Sequence, residues 1–244
     1  MQDRGVVLVT GGGTGLGRAT CAAFAQAGFD VAISFSRSEH EARETASEVQ
    51  AVGRRACVVQ ADVADDLAVR RMVDQVVADL GSLNVLVNNA GTTRYSPLND
   101  LDSVTDEVWQ AILGVNLLGP FHCIRAALPH LRRGGRGKVV NTASTSAFRP
   151  TGSSVPYMAS KAALVSMTRS LARGLAPDIQ VNAVAPGWMA TRWIDEHVPA
   201  DVRERVVEGV PMASLEDVAS TILFLATTDS ITGEVVTVDR GVNL

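Results

Sequence analysis

Short β-branched runs alternate with amphipathic helical segments along almost the whole chain, and this alternation limits the possible folds more than any other feature. The strand candidates are 6–9, 31–33, 56–59, 83–87, 138–141, 179–182 and 235–238. They read more as continuous apolar stretches than as in/out alternations, the pattern of strands covered by helices on both faces, so the sheet is predicted to be parallel. Segments 39–52 and 65–80 repeat apolar residues at helical spacing between charges. Strand-then-helix repetition specifies βαβ units, and the expected fold class is α/β: a doubly wound parallel sheet in a three-layer αβα sandwich. No linker, low-complexity tract or solenoid repeat interrupts the pattern. A length of 244 residues then fits one domain, 1–244.

Composition narrows the partners. With 26 acidic against 22 basic residues, a net charge of -4, the surface carries no general field to gather nucleic acid or anionic lipid. The one basic run, Arg132 to Lys138, lacks aromatic platforms and reads as a solvated turn. Three isolated cysteines, Cys21, Cys57 and Cys123, read as small buried hydrophobes in a reducing compartment, which excludes a disulfide scaffold. Neither they nor the four histidines show metal-ligand spacing, so no metal is expected. Residues 1–5 run straight into the first strand without a signal-type region, and no apolar run is long enough to span a bilayer. The expectation is a cytoplasmic protein without membrane or nucleic-acid partners.

Directly after the first strand comes Thr10-Gly11-Gly12-Gly13-Thr14-Gly15-Leu16-Gly17, with a helix beginning near Arg18. Glycines here allow a tight turn and a close backbone approach to a pyrophosphate, whose charge meets free N–H groups and the positive end of the helix dipole. The spacing differs from the commoner G-x-G-x-x-G and resembles the phosphate loop of the short-chain dehydrogenase/reductase family. Further elements fall in the same order: Asn88-Asn89-Ala90-Gly91, Asn116, Ser144, Tyr157-x-x-x-Lys161, and Pro186-Gly187 with Thr191. The resemblance covers essentially the whole chain and is closest in style to 3-oxoacyl carrier protein reductase-like members. It implies a Rossmann-type fold, a nicotinamide coenzyme and hydride transfer between a ketone and a secondary alcohol.

Tyr157 and Lys161 stand four apart on a predicted helix, so their side chains share a face. An ammonium beside a phenol stabilises the phenolate, and the expectation is that Lys161 lowers the Tyr157 pKa. Ser144, at the carboxyl end of a predicted strand, can hydrogen-bond a substrate carbonyl oxygen. By resemblance, Ser144 and Tyr157 meet the substrate and Asn116 holds a water that links Lys161 to solvent. No Ser-His-Asp arrangement competes.

After the second strand the chain reads Ser34-Phe35-Ser36-Arg37-Ser38. An NAD-selective site of this type places a carboxylate at the strand end; Phe35 stands there instead, and Arg37 with Ser36 and Ser38 can pair with a 2′-phosphate. NADP(H) is therefore preferred, with NAD(H) possible because Thr14 stands where many NADP-dependent relatives carry a basic residue. The remaining coenzyme contacts implied by the resemblance are Gly11, Thr14, Gly15, Leu16 and Gly17 at the phosphates and Asp62 with Val63 at the adenine. Asn89, Ala90 and Gly91 lie along the ribose, Tyr157 and Lys161 hold the nicotinamide ribose, and Pro186, Gly187, Met189 and Thr191 meet the nicotinamide.

Substrate choice falls to loops beyond the strand ends, above all 188–211, whose Trp188, Trp193, Ile194 and Val198 suit an amphipathic lid and equally a pair of surface helices. Arg149 and Arg192 there are candidates for an anionic substrate or for solvated charges. Asp239-Arg240-Gly241 departs from the family's Asp-Gly-Gly. A homotetramer through the helices 116–131 and 157–175 is implied by resemblance alone. The reading is an NADPH-dependent carbonyl reductase acting on a 3-oxoacyl thioester or other small carbonyl compound. The alternatives are an NAD-dependent alcohol or sugar dehydrogenase and a noncatalytic dinucleotide-binding regulator.

Overall fold

A computed structural model describes residues 4–242, apart from the side chains of residues 205–208. Among these the strands β1 (Val6–Thr10), β2 (Asp30–Phe35), β3 (Ala56–Gln60), β4 (Val85–Asn88), β5 (Gly137–Thr142), β6 (Ile179–Pro186) and β7 (Val235–Val238) form one sheet. Its order is β3-β2-β1-β4-β5-β6-β7, and every neighbouring pair is parallel. The helices are α1 (Gly15–Gln26), α2 (Glu39–Ala51), α3 (Asp66–Leu80), α4 (Asp106–Leu113), α5 (Gly119–Arg133), α6 (Val155–Leu175), α7 (Arg192–His197), α8 (Ala200–Gly209) and α9 (Leu215–Thr227).

The continuous apolar strands are explained by where alternate residues go. Val7, Val9, Val31 and Ile33 pack with Phe24 of α1, Val49 of α2 and Ile222 of α9. Val6, Leu8 and Ala32 pack with Val73 of α3, Ile124 of α5 and Ala172 of α6. Both faces of the central strands are thus dry, each buried Val or Leu contributing about 2 kcal/mol, which is the doubly wound arrangement the sequence predicts. The edge strand β3 is only half-buried, and so Cys57 departs from the buried environment expected of it, while Cys21 and Cys123 conform.

Strand order reverses beside β1, which lies between β2 and β4, and a crevice opens at the carboxyl ends of β1 and β4 where such sheets place ligands. The Thr10 hydroxyl holds the crevice floor together by accepting from the Asn89 and Ala90 amides, both at 3.0 Å. The Asn89 side-chain amide donates in turn to the Thr10 and Gly11 carbonyls at 3.0 and 3.1 Å.

One helical run bears on the membrane expectation. α4, a π-helical turn at Gly114–Leu118 and α5 join into a helical run, Asp106–Arg133, that is long and apolar enough by length and composition to cross a membrane. The sequence hides it because Asn116, His122 and Arg125 break the apolar run. Ile124 and Ala127 on this run pack into the cluster shared with α3 and α6. The reading of residues 1–3 as free of a leader lies outside the described residues.

Candidate active site

The phosphate turn is shaped by backbone demands that only glycine meets. Gly11 and Gly15 take φ of 64° and 50°, in the left-handed region. A Cβ on Gly17 would stand 2.1 Å from the Gly11 carbonyl oxygen. α1 starts at Gly15, three residues before the expected Arg18, with Thr14 as its N-cap. The Arg18 amide makes the 3.2 Å bond back to the Thr14 carbonyl, so the amides of Gly15, Leu16 and Gly17 belong to the first turn, where N–H groups lack intrahelical partners. These donors and the helix dipole face the crevice mouth, a cradle that fits a dinucleotide pyrophosphate.

A single cavity of about 840 Å³ extends from this turn, and every coenzyme, catalytic and substrate candidate from the sequence lines it except Asn116. At one end stand Ser36, Arg37 and Ser38; Arg37 and Ser36 are exposed, and among the described residues no ion pair engages Arg37. Phe35 turns inward at 6% exposure into the core, so the end of β2 carries no carboxylate. Asp62 uses a carboxylate oxygen to cap the Ala64 amide at 2.9 Å, and Val63 is buried beside it. Asn89, Ala90 and Gly91 follow β4. Across the groove Gly187 is fixed by its amide to Val238, Met189 rests on the core, and the Thr191 methyl lies 3.3 Å from where a Gly15 Cβ would be.

At the other end β5 and α6 bring Ser144, Tyr157 and Lys161 to the cavity. Ser144 stands two residues beyond β5, and its hydroxyl accepts from the Ser146 amide at 3.2 Å. Lys161 is 4% exposed; its ammonium donates to the Thr142 carbonyl at 2.7 Å and lies 5.8 Å from the Tyr157 ring centroid. Burial brings the Lys161 pKa down to about 8. Burial also pushes the Tyr157 phenol up, and a hydrogen bond with Ser144 offsets this only in part. The cost of burying a phenolate dominates, so the phenol lies above its ordinary value, opposite in direction to the sequence expectation. The Thr142 hydroxyl oxygen is buried against the cavity without a protein partner.

Asn116 sits in the π-helical turn, fully buried behind the cavity wall. Its Oδ1 accepts from the Thr92 amide at 2.8 Å, and its Nδ2 donates to the Thr92 carbonyl at 2.9 Å and the Ser160 hydroxyl at 3.1 Å. A Cβ on the intervening Gly91 would lie 3.6 Å from Oδ1 and 3.8 Å from the Lys161 nitrogen. The side chain braces the loop after β4, and π-turns of this kind cluster at functional sites.

The segment over the substrate end comprises α7, α8 and the flanking loops, which combines the two readings of 188–211. Trp193 tilts against Tyr157 with centroids 5.9 Å apart and stacks on His197 at 5.1 Å. Trp188, Ile194 and Val198 complete an apolar wall. Arg149 is exposed at the rim, whereas Arg192 is engaged by Glu41 at 2.6 Å and Glu196 at 2.9 Å, which removes it from the role of free anion receptor. Val210 and Val242, which no motif marks, also line the cavity.

Fold and cavity together define a dinucleotide-dependent oxidoreductase of the Rossmann class. Residues 5–201 match the short chain dehydrogenase family, and the chain belongs to that family, whose members are NAD(P)-dependent oxidoreductases. It is 40% identical over 243 residues to the protein named ketoacyl reductase 2 of the granaticin polyketide synthase of Streptomyces violaceoruber, covering 98% of this chain and 96% of that one. It is 35% identical over 240 residues to the 3-oxoacyl-[acyl-carrier-protein] reductase FabG of Staphylococcus aureus, with 96% of each chain covered. A short chain dehydrogenase from Burkholderia cenocepacia, solved in complex with NADP, superposes with a TM-score of 0.88 at 37% identity, covering 98% of this chain and 97% of that one.

Proposed function

We propose that the chain is an NADPH-dependent carbonyl reductase for a 3-oxoacyl thioester or another small ketone. The observation that carries this reading is the convergence of Ser144, Tyr157 and Lys161 on one cavity with the phosphate turn and Arg37. The reduced nicotinamide coenzyme supplies two electrons as hydride to the carbonyl carbon, and the products are a secondary alcohol and the oxidised coenzyme. Ser144 donates to the carbonyl oxygen and orients it. Tyr157 delivers the proton to that oxygen; a phenol pushed up by burial stays protonated at neutral pH, which is the form a reduction consumes.

Lys161 holds the coenzyme's nicotinamide ribose and, as an ammonium, returns a proton to Tyr157 after turnover. Its pKa of about 8 suits a proton carrier near neutrality. The relay onward from Lys161 runs through a water held at Asn116, whose side-chain amide braces Thr92 and Ser160. Gly11, Thr14, Gly15, Leu16 and Gly17 bind the phosphates, Asp62 and Val63 the adenine, Asn89 to Gly91 the ribose, and Pro186, Gly187, Met189 and Thr191 the nicotinamide. Arg37 with Ser36 and Ser38 takes the 2′-phosphate.

The working unit proposed is 1–244 as one domain, with 188–211 as its lid, acting in the cytoplasm. A homotetramer built on α5 and α6 accords with Leu118 and Phe121, which are 49% and 38% exposed on one side of that region. The test is coenzyme oxidation across a panel of 3-oxoacyl thioesters, cyclic ketones and short ketones with NADPH and NADH. The reading expects turnover with at least one ketone and a higher kcat/KM with NADPH. Turnover confined to alcohols with NAD, or none on either panel, contradicts it.

A further inference from the structure

Two walls flank the phosphate turn, and one ion pair joins them. The first wall is α2, whose Ala42 amide would lie 2.9 Å from a Cβ on Gly13 and whose Thr45 hydroxyl donates to the Gly13 carbonyl at 3.4 Å. The second is the segment 188–192, which brings Thr191 against Gly15. Arg192, the first residue of α7, reaches from the second wall to Glu41 in the first turn of α2, with Nη1 donating to Oε1 at 2.6 Å. Glu196, one turn along α7, holds the Arg192 Nε at 2.9 Å and so fixes the direction in which the guanidinium points. The pair therefore passes from one side of the pyrophosphate cradle to the other, beside Thr191.

We propose that Arg192 and Glu41 form a clasp that retains the coenzyme by closing the lid segment over its pyrophosphate. This rests on the dinucleotide reading above and goes beyond it by assigning a retention role to two residues outside the coenzyme motifs. The pyrophosphate is common to NADPH and NADH, so the clasp acts on both alike, whereas Arg37 distinguishes them. Arg192 is 54% exposed and Glu41 27%, so water and salt weaken the pair. Its effect is correspondingly modest and falls on the release rate.

The experiment is stopped-flow displacement of NADPH and of NADH from the wild type, Glu41→Gln, Arg192→Gln, both substitutions together, and the charge exchange Glu41→Arg with Arg192→Glu. Each single substitution is expected to speed release of both coenzymes about two- to fivefold by the same factor, with no change in Tm. The double Gln variant releases no faster than the singles, the charge exchange restores slow release, and 0.5 M salt removes the difference. Unchanged release rates, additive effects or no rescue by the exchange overturn the clasp. Loss confined to NADPH also overturns it, since Arg192 then serves the 2′-phosphate. A folded wild type that binds neither coenzyme overturns the dinucleotide reading itself and is told apart from these results by its lack of any signal.

Discussion

The crevice at the ends of β1, β4 and β5 and the lid segment above it are held by different forces. Below, Lys161, Asn116, Thr10 and Ser144 are at most 9% exposed and tied by hydrogen bonds to backbone groups that cannot move without disturbing the sheet. Above, α7 meets the body through the partly exposed Arg192–Glu41 pair, the Trp193–Tyr157 ring contact and the buried Ile194 and Val198, the likewise partly exposed Arg203–Asp195 pair ties α8 to α7, and the Ala213 amide bonds the Trp188 carbonyl. Each exposed pair contributes about 0–1 kcal/mol, whereas a severed buried hydrogen bond costs about 1–3 kcal/mol. The reaction geometry is thus fixed stiffly and access to it loosely, which is the division expected of a scaffold whose chemistry is constant and whose substrates and coenzyme must come and go.

Substitutions below should therefore cost more than those above. The largest effect is expected of Gly17→Ala, whose Cβ would overlap the Gly11 carbonyl oxygen at 2.1 Å and force the turn apart. Binding of NADPH and NADH should fall together by roughly 100-fold, about 3 kcal/mol, as read by fluorescence titration.

Lys161→Met should abolish turnover yet stabilise the fold. A lysine whose folded pKa lies near 8, below the unfolded value of about 10.4, pays the full cost of its buried charge below pH 8. Above pH 8 the folded state sheds its proton while the unfolded chain keeps it, so wild-type stability should rise up to about pH 10. The variant lacks that rise, and at pH 7 it should gain about 2 kcal/mol after allowance for the unpaired Thr142 carbonyl. Chemical denaturation at pH 7 and pH 9.5 checks both the sign and the window.

Arg37→Ala should weaken NADPH about tenfold and leave NADH unchanged, because the role proposed for the exposed guanidinium is to pair with the 2′-phosphate. The smallest effect is expected of Arg240→Gly: Arg240 holds φ of 58°, a conformation that costs a non-glycine residue about 1 kcal/mol, and relieving it should raise Tm by a few degrees.

The stiff region is also the legible one. Strand positions could be read because two dry faces demand unbroken apolar runs, and the phosphate turn because glycine is the only residue its backbone admits. β6 runs on from the expected Asn182 to Pro186 because the central sheet extends Ala183, Val184 and Ala185, whose own strand propensity is mixed. β4 begins two residues later than expected, at Val85, since Asn84 spends its side chain on the Val6 amide at 2.9 Å. The direction of the Tyr157 shift was hidden because spacing reveals a neighbouring lysine and conceals the burial of both groups. The clasp was equally hidden: Glu41 and Arg192 are 151 residues apart, and each taken alone resembles a solvated helix charge.

The central claim is that Tyr157 supplies the proton from a protonated phenol held in a stiff frame. Tyr157→Phe removes only the hydroxyl and leaves the ring packed against Trp193. On a ketone that the wild type reduces with NADPH, the variant should fold with the same Tm, bind coenzyme within about twofold, and lose at least about 100-fold in kcat. A folded variant that binds coenzyme and retains wild-type kcat would contradict the account.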